Sequence, residues 1–298
     1  MKCNFFTFFS IALLTFSTIS CRTQSKINSK EEVHIVLLGG QSNMSGVGHF
    51  KSLDEETISR INALSNRVML SDTQLKKLIP LSELKNQIWG KDRRSKNFGP
   101  ELFLGLTLAE KHPKQKYLFI KTAHGGTALY GAWNPNWSLE QSQAIERGEY
   151  KQGLKLYKIH INQIKAQLAR LVSEGKTYKI LGMVWMQGEN DGALDVSAKN
   201  YGKNLKELLA SYRRDLNLPN LPFVAGQTNS HYGVKGGSDM VRQGFLDFEK
   251  SEDHVAVIKT LRDSPYTDFP KHSDNVHYNA EGQKRFGIAF AKALMTLN

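Results

Sequence analysis

Cysteine is nearly absent from this 298-residue chain: Cys3 and Cys21 are its only two, and both lie in or at the edge of an N-terminal apolar stretch. The remainder therefore has no internal disulfide and no cysteine metal site, so its stability must come from packing. Prolines number eight, and no repeat or low-complexity linker interrupts the chain beyond the N-terminal stretch, which excludes solenoids and proline-rich tethers there. Acidic residues are the minority, 28 against 40 basic, for a net charge of +12. The basic residues are dispersed, with local pairs such as Lys76-Lys77, Arg93-Arg94 and Arg213-Arg214, and no basic run interleaved with aromatics. That distribution describes a solvated surface, and no nucleic-acid partner is expected.

Long hydrophobic runs are equally scarce. The one present, Phe5 to Ile19, follows Met1-Lys2; at about 15 residues it suits the apolar region of a signal peptide and is short for a bilayer span. It ends in Thr18-Ile19-Ser20-Cys21, which resembles a bacterial lipobox with threonine where leucine is usual. Residues 1–21 are expected to be a lipoprotein leader acylated on Cys21, and residues 22–30 a polar tether. Residues 31–298 are expected to be one exported domain, periplasmic or associated with the outer membrane, touching membrane only through that lipid.

What remains is an alternation of short β-rich runs and helical patterns, which predicts βαβ units and a parallel sheet covered on both faces. Candidate strands are His34 to Leu38, Arg67 to Leu70, Tyr117 to Thr122, Lys179 to Met186, Pro222 to Ala225 and His254 to Lys259. Tyr157, Ile161, Ile164, Leu168 and Leu171 mark one helix with Gly175 as its C-cap, and Tyr201 to Leu216 a second. Phe98-Gly99-Pro100-Glu101 opens a third that ends near Lys111, and Ala280 to Leu297 forms the last. Gln41 to Leu53 and Tyr130 to Tyr150 are left irregular.

In open α/β sheets ligands bind outside the carboxyl ends of strands, so residues following each strand carry the functional signal. Four such points stand out: Gly40-Gln41-Ser42-Asn43-Met44, His124-Gly125-Gly126-Thr127, Trp185 to Asp191, and Asp274-Asn275-Val276-His277. A serine hydroxyl becomes a useful nucleophile only when a base takes its proton and a third group fixes that base. Ser42, His277 and Asp274 supply the three types. Oxyanion donors would be the Ser42 N–H, a backbone N–H of Gly125 or Gly126, and the Gln187 side-chain amide. Glu189 is expected either as a structural partner or as a group that helps orient His277, and Asp191 as a helix or loop cap. His124 either lines the pocket or is satisfied by loop backbone. Tyr130, Trp133 and Trp137 either stack on a sugar or close the core.

Rival motifs fail on spacing. Gly46-Val47-Gly48 lacks the dinucleotide pattern, Gly175-Lys176-Thr177 follows a helix, and His-Glu-x-x-His is absent. The α/β-hydrolase elbow needs glycine where Met44 stands. Taken together, the four blocks resemble those of SGNH hydrolases, more narrowly the sialate O-acetylesterase-like or acetylxylan esterase-type carbohydrate esterases. That subgroup has Gly-Gln-Ser-Asn and Gln-Gly-Glu where many relatives have Gly-Asp-Ser and Gly-x-Asn-Asp, and this chain matches it at Gly40 to Asn43 and Gln187 to Glu189. The resemblance implies a flavodoxin-like three-layer α/β/α sandwich with a parallel sheet of about five strands, and a Ser-His-Asp site at Ser42, His277 and Asp274. It also implies release of acetyl groups from carbohydrates such as acetylated xylan or sialic acid, without a metal or other cofactor. Gln41, Asn43, His124, Glu189 and Trp133 would sit around that site. Two other readings remain open on the sequence: a glycan-binding protein that does not turn over, and a lipid or thioester hydrolase.

Overall fold

A computed structural model of the protein describes residue 1 and residues 30–75, 77–86 and 97–298. The expected leader with Cys21 and nearly all of the tether lie outside the described residues, as do Lys76 and the Arg93-Arg94 pair. Glu31–Asn298 forms one compact unit. Among the described residues no helix is long and apolar enough to cross a membrane.

Its centre is a seven-stranded sheet of β1 (Glu32–Gly40), β2 (Val68–Asp72), β3 (Ile79–Pro80), β4 (Lys116–Ala123), β5 (Thr177–Met186), β6 (Phe223–Gly226) and β7 (Val255–Ile258). The spatial order is β3-β2-β4-β1-β5-β6-β7, and every pairing is parallel except β2 with β3. The sheet thus exceeds the expected five strands. β3 is two residues long and antiparallel, a length at which no period can be read. The six parallel strands are those the apolar runs mark.

Side chains alternate across the sheet, and the two faces feed separate cores. From β1, Val36 and Leu38 join a cluster with α1 (Glu55–Leu64), α2 (Glu101–Lys111) and α6 (Ala280–Leu297). Val33, Ile35 and Leu37 join the opposite cluster with α3 (Leu156–Ser173), α4 (Tyr201–Asp215) and α5 (Gly237–Ser251). Helices on both faces of a mostly parallel sheet give the three layers. Each fully buried Leu, Ile or Phe contributes about 1.5–3 kcal/mol, which makes the scarcity of cysteine immaterial. The helix α2 begins as expected: Pro100 caps it, and the Glu101 carboxylate takes the Gly99 N–H at 2.9 Å. Beyond α3, Gly175 turns the chain at φ +74, a conformation that favours glycine.

β1 occupies the middle of the sheet with β4 and β5 beside it. The loops after these three strands therefore open at one edge, next to one another.

Candidate active site

Gly40 ends β1 against the end of β5. A Cβ there would fall 2.1 Å from the Met186 carbonyl oxygen, so only glycine lets the two strands finish side by side. The Gln41 N–H then donates to Met186 O at 3.0 Å, and Ser42 opens a single helical turn, Ser42–Ser45. First-turn N–H groups have no acceptor within a helix. Among the described residues no acceptor takes the N–H of Ser42, Gly125 or Gly126.

The loop ahead of α6 brings the base. His277 Nε2 lies 3.0 Å from Ser42 Oγ, and His277 Nδ1 lies 2.7 Å from Asp274 Oδ2. The second carboxylate oxygen, Oδ1, accepts the N–H groups of Val276 and His277, both at 2.9 Å. Partial burial works to raise the Asp274 pKa; the His277 N–H, the His277 ring and the Val276 N–H outweigh it and bring it down to about 2. Asp274 is accordingly a carboxylate at neutral pH, and it accepts the Nδ1–H. The free lone pair of His277 is then on Nε2, facing the serine hydroxyl.

Asn43 ties the two distant segments together. It is fully buried; its Nδ2 donates to Glu189 Oε1 at 2.8 Å and to Val276 O at 3.3 Å, and its Oδ1 accepts the Tyr278 N–H at 3.0 Å. Its carbonyl accepts the Gln283 amide at 3.2 Å. Glu189 thus acts as a structural partner that grips Asn43, one of the two roles expected of it, while Asp274 orients His277.

Gly125 approaches Ser42 closely: a Cβ built on it would lie 3.4 Å from Ser42 Cβ. Behind this loop two buried carboxylates act as anchors. Asp191 accepts the N–H groups of Leu129 (2.7 Å) and Tyr130 (3.0 Å), the Ser197 hydroxyl (2.6 Å) and the Gln187 amide (2.6 Å). Glu146 Oε1 accepts the N–H groups of Ala128 and Ala132 at 2.8 and 2.9 Å. Burial pushes the Asp191 pKa up against its four donors, and the Glu146 carboxyl up to about 7.

Two expectations need correction here. Gln187 Nε2 has two hydrogens, and Asp191, Thr127 O (3.1 Å) and Gln41 Oε1 (3.4 Å) compete for them, so this amide braces the loop and is not aimed at an oxyanion. Trp133 is completely buried and stacks edge-on against Trp185 at 5.0 Å, which makes it core and removes it from any sugar platform. Trp137 packs under Lys155, whose ammonium lies 4.1 Å from its ring centre. His124 is half-buried with its ring 5.6 Å from that of Tyr150.

The cavity over the serine has a volume of about 360 Å³ and is lined by Gln41, Ser42, Gly125, Glu189, Tyr232 and His277 among others, with Lys151 reaching in to donate to Gly126 O at 3.0 Å. A larger cavity of about 440 Å³, beside His49, Asp54, His272 and Lys284, contains neither Ser42 nor His277, so size alone does not mark the site. Sequence reasoning passed over Lys151, Tyr232 and the wholly buried Lys121. Lys121 Nζ donates to Ser45 O at 3.1 Å and lies 3.1 Å from Glu101 and 3.6 Å from Asp72. A lysine inside an apolar two-sided strand was the available signal, because such a charge requires buried partners.

A family model described as carbohydrate esterase, sialic acid-specific acetylesterase, matches residues 32–296. The chain belongs to this family. The chain is 34% identical over 119 residues to the "Probable carbohydrate esterase At4g34215" of Arabidopsis thaliana, a match that spans 40% of this chain and 41% of that relative's length. The structure of the Arabidopsis thaliana protein AT4G34215 superimposes with a TM-score of 0.63 at 22% identity, over 88% of this chain and 98% of the other. NanS gives 0.62 at 15% identity over 91% and 98%. XAC1771, a carbohydrate acetylesterase from Xanthomonas citri, gives 0.57 at 17% over 88% and 56%. At these identities the likeness to the solved structures shows the shared fold.

Proposed function

We propose that this member of the family is a serine esterase that removes O-acetyl groups from carbohydrates through an acetyl-Ser42 intermediate. The observation that carries the reading is the relay Asp274–His277–Ser42 at 2.7 and 3.0 Å, opening on a solvent-reached cavity. His277 Nε2 takes the hydroxyl proton as Ser42 Oγ attacks the acetyl carbonyl. The imidazolium, stabilised by Asp274, returns the proton to the departing sugar hydroxyl. Water, deprotonated by the same nitrogen, then releases acetate. Charge developing on the carbonyl oxygen meets the main-chain N–H groups of Ser42 and Gly125, which have no acceptor among the described residues. The family and the carbohydrate acetylesterase activity of the similarly folded XAC1771 support a carbohydrate acetyl ester as substrate; acetylated xylan and acetylated sialic acid are the donors to compare.

The test is hydrolysis of an aryl acetate and of an acetylated glycan by wild type and Ser42→Ala. Loss of at least about 10³-fold in kcat is expected, since removing a triad member leaves only binding and the oxyanion donors. A variant as active as wild type would remove the assignment. We also propose that Cys21 carries a lipid; partition of wild type into detergent, and of Cys21→Ser into the aqueous phase, is the expected result.

A further inference from the structure

We propose that Lys271 is a positioning residue whose ammonium group clamps the Asp274–His277 loop in its working conformation. The inference rests on the esterase reading above and concerns what holds the base in place.

Lys271 begins the loop and reaches back over it. Its Nζ donates to Asn275 O at 2.9 Å and to Asn229 O at 3.4 Å. Asn275 sits at φ +57, a left-handed conformation that asparagine tolerates better than most other non-glycine residues and that sets the direction of its carbonyl toward Lys271. The same ammonium stands 4.3 Å from the ring centre of Tyr266 and 5.4 Å from that of Tyr278. Tyr278 in turn donates its hydroxyl to Asn229 Oδ1 at 2.9 Å. Lys271 therefore joins the loop after β6 to the loop that carries Asp274 and His277. Around it, the main chain is closed by His272 N–H on His277 O at 2.8 Å and Asn275 N–H on His272 O at 3.1 Å. A displacement of Asn275 is thus transmitted to the imidazole next but one in sequence.

No carboxylate is in ion-pair contact with this ammonium among the described residues. The groups that face it are Tyr266 and Tyr278, the carboxylates of Glu189, Asp274 and Asp268 at longer range, and the Arg242 guanidinium. Burial between the tyrosines lowers its pKa to about 8; the three carboxylates oppose that and Arg242 adds to it. The clamp is therefore charged below about pH 8 and loses its charge above, which gives activity an upper pH limb.

The experiment is the pH profile of kcat and kcat/KM on an aryl acetate for wild type, Lys271→Met and Lys271→Arg, with Ser42→Ala as control. Arginine keeps its charge throughout the range. In wild type, kcat is expected to fall above about pH 8; K271R is expected to stay active and to lose that fall, and K271M to lose about tenfold or more in kcat with KM little changed. An upper limb at the same pH in K271R, or a K271M profile superimposable on wild type, overturns the proposal. Should K271M fail to fold, the comparison of K271R with wild type decides alone. Turnover that survives Ser42→Ala defeats the esterase site itself, whereas turnover abolished in Ser42→Ala with a limb indifferent to K271R defeats only the clamp.

Discussion

Replacing Asn43 by alanine removes three side-chain hydrogen bonds that hold the serine turn to the histidine loop. Two of the groups left behind are costly. The Tyr278 N–H becomes a buried donor without an acceptor, and Glu189, whose Oε2 already has no partner, loses the bond to its Oε1. An unsatisfied buried donor costs about 1–3 kcal/mol and a charged group more, so Asn43→Ala should destabilise by about 3–5 kcal/mol. That is a large part of a typical folding free energy of about 5–15 kcal/mol, and corresponds to a fall of about 10 °C in Tm for a domain of this size. The catalytic effect should be larger than stability alone requires. With the clasp gone, the 3.0 Å contact between His277 and Ser42 depends on the loop alone, and a misplacement of about 1 Å costs on the order of 10²-fold. Thermal melting measures the first effect, and initial rates on an aryl acetate, taken well below the transition, measure the second. Asn43→Asp sharpens the test, since its carboxylate would meet Glu189 where the amide now donates at 2.8 Å; one of the pair must take a proton, so this variant should recover stability as pH falls. An Asn43→Ala protein that melts within about 2 °C of wild type and keeps more than about half its rate would refute the reasoning.

Two other substitutions probe the supports behind the site. Glu146 is expected to make stability fall with rising pH: its folded pKa of about 7 exceeds the ordinary 4.5, so the folded state holds the extra proton between those values and loses that advantage as pH rises through them. Glu146→Gln should therefore gain in Tm relative to wild type between about pH 5 and pH 8; parallel curves would count against a buried neutral carboxyl. Lys121→Met leaves Asp72 and Glu101 buried without their cation and should cost about 3–5 kcal/mol in denaturant unfolding. A loss under about 1 kcal/mol would mean that the cluster is already neutralised by protonation.

The parts legible in the sequence are those where local chemistry and topology coincide. Several of the six parallel strands betray themselves as nearly continuous apolar runs because both faces are covered, and Ser42 and Gly125 stand at the carboxyl edge because glycine and polar residues end those runs; Asp274 and His277 are marked by their place ahead of the last helix. Helix α6, Ala280–Leu297, agrees with its sequence bounds because Asn279 caps it, accepting the Gly282 N–H at 3.1 Å. What was not legible depends on direction in space. Trp133 satisfies the composition of a sugar platform as well as that of a core, and only its packing against Trp185 decides for the core. Gln187 carries the right amide for an oxyanion donor, but Asp191, four residues on, captures it. Glu189 and Asn43 are 146 positions apart, and no local pattern announces their bond.

Everything rests on a covalent event at one oxygen. The direct measurement is rapid-quench mass spectrometry of wild type and His277→Ala turning over an acetyl ester, with the peptide bearing residue 42 isolated. One acetyl group is expected on Ser42, appearing and decaying at the rate of turnover in wild type and failing to accumulate at that rate without the imidazole. Turnover with Ser42 unmodified and an acetyl group on another residue, or acetylation of Ser42 as fast in His277→Ala as in wild type, would contradict it.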